Sequence, residues 1–240
     1  MAHLIVIAAC SLLAGPDPAA LLLRADAASN RAKDATITLT VSVSERGSDP
    51  LERTMRVWQL GAERRMVKFL EPARLRGTGI LVPERGQTYL YLPAYQRVRR
   101  IVGKEGGQSF MGTGFAINDL ARVRFSGDYT ATIASEDAAL WHLQLTPVRP
   151  EEHRHASLKI DIRKADDLVS RVTSLDAAGT VLRTIDMTDF KAAGAYTIAH
   201  RIEIDEADTG KKTVAVVKEA AFDSGLDAAF FSERELRRAP

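Results

Sequence analysis

Cysteine is almost missing from this chain. Its 240 residues include one, Cys10, so an intrachain disulfide is impossible and a multi-cysteine metal site is excluded. Aromatic residues are few, and neither sign of charge is in excess. The 33 Lys and Arg offset 31 Asp and Glu to leave +2, without the basic surplus that drives nucleic-acid binding. No apolar run approaches the ~20 residues of a membrane-spanning helix. Catalytic templates are absent too. There is no Gly-x-Ser-x-Gly elbow, and Gly106-Gly107-Gln108-Ser109 lacks the Gly-Lys-Ser/Thr end of a phosphate-binding loop. What is present is an ordinary apolar fraction of 45%, enough for a well-filled core and against wholesale disorder.

The longest apolar run, residues 4–14, has the length of a signal-peptide core. Gly15-Pro16-Asp17-Pro18 ends it. Ile7-Ala8-Ala9-Cys10 reads as a lipobox, which makes Cys10 a possible lipidation site. A buried apolar helix with Cys10 as a small hydrophobe is the competing reading. The expected organisation is a leader over 1–16 and one domain over 17–240.

Asp17-Pro18 is a helix start, with Asp as N-cap and Pro in the first turn. Leu21, Leu22, Ala25, Ala28 and Ala32 follow at helical spacing, predicting a helix to about residue 33. From residue 36 the period becomes two: Ile37, Leu39, Val41 and Val43 alternate with Thr and Ser. Strand patterns continue at 53–60, 64–70, 88–92 and 97–102, and again from 128 to 221, separated by turn residues. Ten or eleven antiparallel strands at this spacing imply one large sheet or barrel. A short helix is expected at 117–123 and another in the 226–238 tail.

Candidate chemistry is thin. His153 and His155 lie on one side of a strand and invite a metal, although exposed loop histidines are the simpler expectation. His142 and His200 read as sheet residues. Asp166-Asp167 and Asp205-Glu206 read as turn formers. Residues 53–104 carry twelve Lys and Arg against three Asp and Glu. Within that stretch, Arg97, Arg99 and Arg100 fit either a grip on phosphate or a charged edge that blocks sheet-to-sheet aggregation. Apolar side chains, in contrast, exceed any obvious chemistry. Met55, Val57, Met66, Tyr89, Tyr91, Phe110, Met111, Phe115, Phe125, Trp141, Leu143 and Leu145 are spread over many strands. A packed core and the lining of an acyl-chain cavity remain open as readings of this set.

The stretch from Gly77-Thr78-Gly79-Ile80 through Tyr89-Leu90-Tyr91-Leu92-Pro93-Ala94, Arg97-Val98-Arg99-Arg100-Ile101, Ser109-Phe110-Met111-Gly112-Thr113 and Asp119-Leu120 resembles the LolA-like outer-membrane lipoprotein-sorting family. The early helix, Phe69-Leu70-Glu71-Pro72 and the tail with Phe231 and Arg234 are also similar to it. The resemblance implies a mostly β, α+β fold: a strongly curved antiparallel sheet, an incomplete barrel, lidded by short helices around an apolar cavity. It implies a periplasmic carrier of lipoprotein acyl chains or phospholipid, with an inner-membrane transporter and an outer-membrane acceptor as partners. No catalytic residue, metal, cofactor or nucleic acid is implied. The twelve apolar residues then become cavity candidates, Arg97, Arg99 and Arg100 headgroup or partner contacts, and the glycines of 77–79 and 103–114 flanks of the cavity mouth. A sensor that binds lipid or lipoprotein on the same fold and regulates a partner is the alternative.

Overall fold

A computed structural model describes residues 15–45, 48–122 and 124–240. Residues 1–14 of the leader expected over 1–16, and with them the lipidation expectation at Cys10, therefore lie outside the described residues. Among the described residues no helix is long and apolar enough to cross a membrane.

The first element is α1 (Pro18–Ser29). Asp17 caps it, accepting the Ala19 N–H at 3.0 Å, and Pro18 sits where its missing N–H costs nothing. Leu21, Leu22, Ala25 and Ala28 form its buried stripe. It ends sooner than its periodicity suggests. The Asn30 amide turns back to the Asp26 carbonyl at 2.7 Å, and β1 begins four residues later.

Six strands follow as a meander: β1 (Asp34–Ser44), β2 (Leu51–Leu60), β3 (Arg64–Glu71), β4 (Gly79–Val82), β5 (Thr88–Leu92) and β6 (Arg97–Ile101). Residues 102–128 then cross to the far edge and carry α2 (Ile117–Ala121). A second meander runs through β7 (Tyr129–Glu136), β8 (Leu140–Pro147), β9 (Ser157–Arg163), β10 (Val169–Leu175), β11 (Val181–Ala193), β12 (Tyr196–Glu206) and β13 (Lys212–Phe222). A terminal turn of helix, α3 (Glu233–Arg237), closes the chain.

Pairing of β1 with β13 fuses the meanders into one antiparallel sheet of thirteen strands, in the order β6-β5-β4-β3-β2-β1-β13-β12-β11-β10-β9-β8-β7. The fold is mostly β, as expected, and the sheet stays open, with β6 and β7 as its edges. The expected ten or eleven strands fall short of thirteen. The clearest omission is β4, which is four residues long and buried at every position, so it shows no alternation.

The concave side holds the main core. Leu21 and Ala25 of α1 meet Val41, Met55, Val67, Phe69, Leu143, Leu145, Leu158, Ile160 and Ile162 there, all at most 1% exposed. The 102–128 connection packs across this side. Phe110 stacks on Phe69 with ring centroids 5.0 Å apart, while Arg183 of β11 donates to the Gly114 carbonyl at 3.1 Å. Gly114 has φ +74°, and a Cβ there would lie 2.6 Å from the Thr213 hydroxyl, so glycine alone permits both the turn and the approach.

Side chains of opposite parity form a smaller core on the other face. Met66, Leu81 and Tyr91 are covered by Phe231 and Leu236 of the tail. A Cβ on Gly79 would stand 2.7 Å from the Val67 carbonyl, so this close strand contact needs glycine. Lys68 is buried beneath α3 and donates to the Glu235 and Arg238 carbonyls at 2.5 and 2.8 Å. Burial brings its ammonium down to about 8.

Asp34 anchors the start of the tail. Its buried carboxylate accepts Ser224 N–H and O–H at 2.9 and 2.7 Å, Gly225 N–H at 2.8 Å and Leu226 N–H at 3.1 Å. Burial pushes its pKa up, but these four donors more than reverse that, and the net direction is down. Hydrogen bonds to a charged group contribute about 1.5–3 kcal/mol. Asp34→Ala is therefore expected to lower unfolding free energy by about 2 kcal/mol, read by denaturant titration. Since the folded pKa is depressed, the contribution is present above the ordinary carboxylate range and lost as pH falls through the folded value.

Candidate functional site

Between the curved sheet, the end of α1 and the connection lies a cavity of about 390 Å³, within the ordinary range of small-molecule sites. Its walls come from both meanders. Ile37 and Leu39 of β1 and Val57 of β2 form one side. Val169 and Val172 of β10, with Ile185 and Met187 of β11, form the other. Ile202 of β12 and Val217 of β13 make the floor between them. Ile37/Leu39 and Ile185/Met187 are each i, i+2 pairs, which the pleat directs to the same face. Phe115, Leu120 and Phe125 cover the space from the connection, Ala28 from the last turn of α1 and Ala32 from the bend after it. Small and β-branched side chains on a concave sheet do not reach its centre, so a space remains.

One end of this cavity is polar. Arg65, Arg122 and Arg124 line it together with Gln59, Asp26 and Asp119. Arg65 Nη1 donates to the Leu120 and Arg122 carbonyls at 3.2 and 2.6 Å. Its Nη2 donates to Gln59, whose amide donates in turn to Asn30 Oδ1 at 2.5 Å. This chain ties β3 to the end of α1 and to the residues leaving α2. Burial, with repulsion from Arg122 added, lowers the Arg65 pKa to about 10, and it stays charged at neutral pH. The Asp26 carboxylate is taken up by the Phe125 and Ser126 N–H groups, both at 2.7 Å. The Arg122 guanidinium lies over the Phe125 ring at 4.9 Å.

A second, polar cleft of about 380 Å³ adjoins this end. It is lined by Asp119, Arg122, His153, His155 and Arg183, and by Gly107, Gly112 and Gly114. Here the expectation of exposed histidines is corrected. His153 and His155 are half-buried, with ring centroids 4.9 Å apart, and both reach the Tyr129 hydroxyl, at 3.3 and 2.9 Å. Burial and then the nearby Arg122 push His155 down to about 3, and the same two causes lower His153. Both imidazoles are therefore neutral at pH 7. Among the described residues no group of three or more His, Cys, Asp or Glu could hold a metal ion.

Of the twelve apolar candidates, Val57, Phe115 and Phe125 line the cavity. Met55, Phe110, Leu143 and Leu145 are packed in the main core, and Trp141 packs against it beneath the Lys164 ammonium. Met66, Tyr89 and Tyr91 belong to the opposite face. Met111 is exposed, in a left-handed turn with φ 51°. Arg97, Arg99 and Arg100 are exposed on the edge strand β6, where Arg99 faces Glu105 at 3.4 Å. Gly79 lies under the tail and the 107–114 glycines border the polar cleft; none of them lines the apolar cavity. Sequence reading missed the β10–β13 wall and the three arginines. The i, i+2 pairs of β11 were the available signal for the wall.

A family model described as "Uncharacterized protein" matches residues 61–238. No curated protein matches the chain. Among solved structures, an outer membrane lipoprotein-sorting protein domain from Vibrio parahaemolyticus is similar at TM-score 0.81 and 22% identity, over 92% of this chain and 98% of that one. A DUF1329 family protein from Desulfovibrio piger is similar at TM-score 0.82 and 21% identity, over 91% and 97%. A LolA superfamily protein from Nitrosomonas europaea is similar at TM-score 0.77 and 17% identity, over 92% and 100%. The TM-scores establish a shared fold.

Proposed function

The chain belongs to the family matched over residues 61–238 and has the LolA-like fold, and on that premise we propose that it is a periplasmic carrier that shields the acyl chains of lipoproteins or lipids on their way to the outer membrane. The observation that carries this reading is the apolar cavity, walled by the concave sheet and covered in part by α1 and the connection. Fold alone does not specify function, but the chemistry of the site agrees. Removing an acyl chain from water is worth about 0.8 kcal/mol per buried CH2. Aliphatic walls supply that without reactive groups. A carrier acts by binding and release, and the donor and acceptor in this reading are an inner-membrane transporter and an outer-membrane partner.

Native mass spectrometry of the protein purified from its own envelope tests the reading. Adducts with acyl-lipid or lipoprotein masses are expected. Unliganded protein alone, together with no transfer of a fluorescent lipid between donor and acceptor vesicles, would overturn it.

A further inference from the structure

We infer that the arginine end of the cavity seats an anionic headgroup, a carboxylate or a phosphate, whose acyl chain runs along the aliphatic walls. This rests on the carrier reading and adds the class of ligand.

A cluster of cations points to it. Arg31, Arg65, Arg122 and Arg124 all line this cavity, beside its aliphatic walls. The Nε atoms of Arg65 and Arg124 are packed out of reach of a ligand, so an anion would be met by the terminal nitrogens of these side chains and by their charge.

The local charge agrees. Arg65 has no ion-pair partner among the described residues; its terminal nitrogens are occupied by carbonyls and by Gln59. Nearby carboxylates are already engaged. Asp26 is held by two backbone N–H groups. Asp119 lies 2.6 Å from Arg183 and 3.8 Å from Arg122. Glu63, which is half-exposed, stands 3.6 Å from Arg124. Four arginines, Arg31, Arg65, Arg122 and Arg124, line the cavity against two carboxylates, Asp26 and Asp119, so an incoming anion would meet a surplus of positive charge. Guanidinium suits carboxylate and phosphate because its planar N–H donors match their oxygens in pairs. The position is right as well, since Leu120 and Phe125 adjoin these arginines on the same wall. One amphiphile could thus touch the cations with its head and the aliphatic floor with its chain.

Isothermal titration calorimetry of the full chain with dodecanoate, dodecyl phosphate and dodecanol tests this. The two anions are expected to bind at least about tenfold more tightly than the alcohol of the same chain length, and the stronger of the two identifies the headgroup. Arg124→Gln is expected to erase most of that preference, lowering the affinity for the two anions far more than that for dodecanol. Arg65→Gln should do the same. Because Arg65 also holds the backbone at residues 120–122, its melting curve is recorded alongside, and Arg124→Gln decides the matter if that variant unfolds. Equal binding of all three amphiphiles would overturn the headgroup site and leave the carrier reading standing. Absence of binding by any of them would overturn both.

Discussion

Val217→Trp is expected to weaken acyl-chain binding by about 100-fold while leaving the sheet intact. Val217 sits in β13 at the floor of the cavity, partly buried against the core. Val217 pairs with Leu39 of β1, and β13 is held by β12 up to the preceding residue, Val216, so the backbone is anchored beside it. An indole grown from this position extends into open space, where a methyl pair now leaves room. The cost of overpacking, typically about 1–3 kcal/mol, should be at the low end because the cavity accommodates the ring. The gain lost is the acyl contact, about 0.8 kcal/mol for each methylene displaced, so excluding three or four methylenes weakens binding by about 100-fold. Val172→Trp, from the opposite wall, should act in the same direction. Displacement of a fluorescent fatty-acid probe measures this, with circular dichroism reporting the fold. A folded Val217→Trp protein that binds the probe as the parent does would show that the acyl site lies elsewhere.

Acid should weaken this fold through one histidine more than any other. His155 is half-buried against Tyr129 and near Arg122, with its pKa lowered to about 3. An unfolded chain takes up that proton at about 6.5. Between these values the unfolded state binds more protons, so stability rises with pH. Its contribution is therefore complete above about 6.5 and drains away as pH falls toward 3, by up to about 1.4 kcal/mol per pH unit. Partial exposure of the ring reduces that ceiling. His153 is shifted in the same direction and adds to the slope. His155→Phe keeps a ring beside Tyr129 and removes the titration. Denaturant unfolding at pH 7.0, 5.5 and 4.5 should show a flatter pH dependence in the variant than in the parent. Identical slopes would mean that acid acts elsewhere.

Much of the architecture is written locally. Asp17-Pro18 starts a helix wherever it stands before an apolar stripe, and α1 begins there. Alternation of Ile37, Leu39, Val41 and Val43 with hydroxyl residues makes a two-faced strand, which β1 is. Turn residues between such runs make antiparallel neighbours, and both meanders follow from that. β4 escaped because four buried residues carry no period.

Which face is which could not be read the same way. Period two says that Met66 and Val67 point to opposite sides, but not which side is concave. Met66 went to the face covered by the tail, and Val67 to the main core. His153 and His155 look like loop residues in sequence, and Tyr129, 24 and 26 residues away, turns them into a half-buried cluster. The arginine end is the same kind of fact. Arg65 comes from β3, while Arg122 and Arg124 come from the connection between the meanders. Only the β1–β13 pairing and the return of residues 102–128 across the concave face bring these groups to one cavity. Hydrogen-bonded neighbours and the pleat are properties of short segments, so sequence alone decides strands, turns and the first helix. A cavity exists only where distant segments curve around a space that none of their side chains reaches, and that was settled by the curvature of the whole open sheet and the segments that cover it.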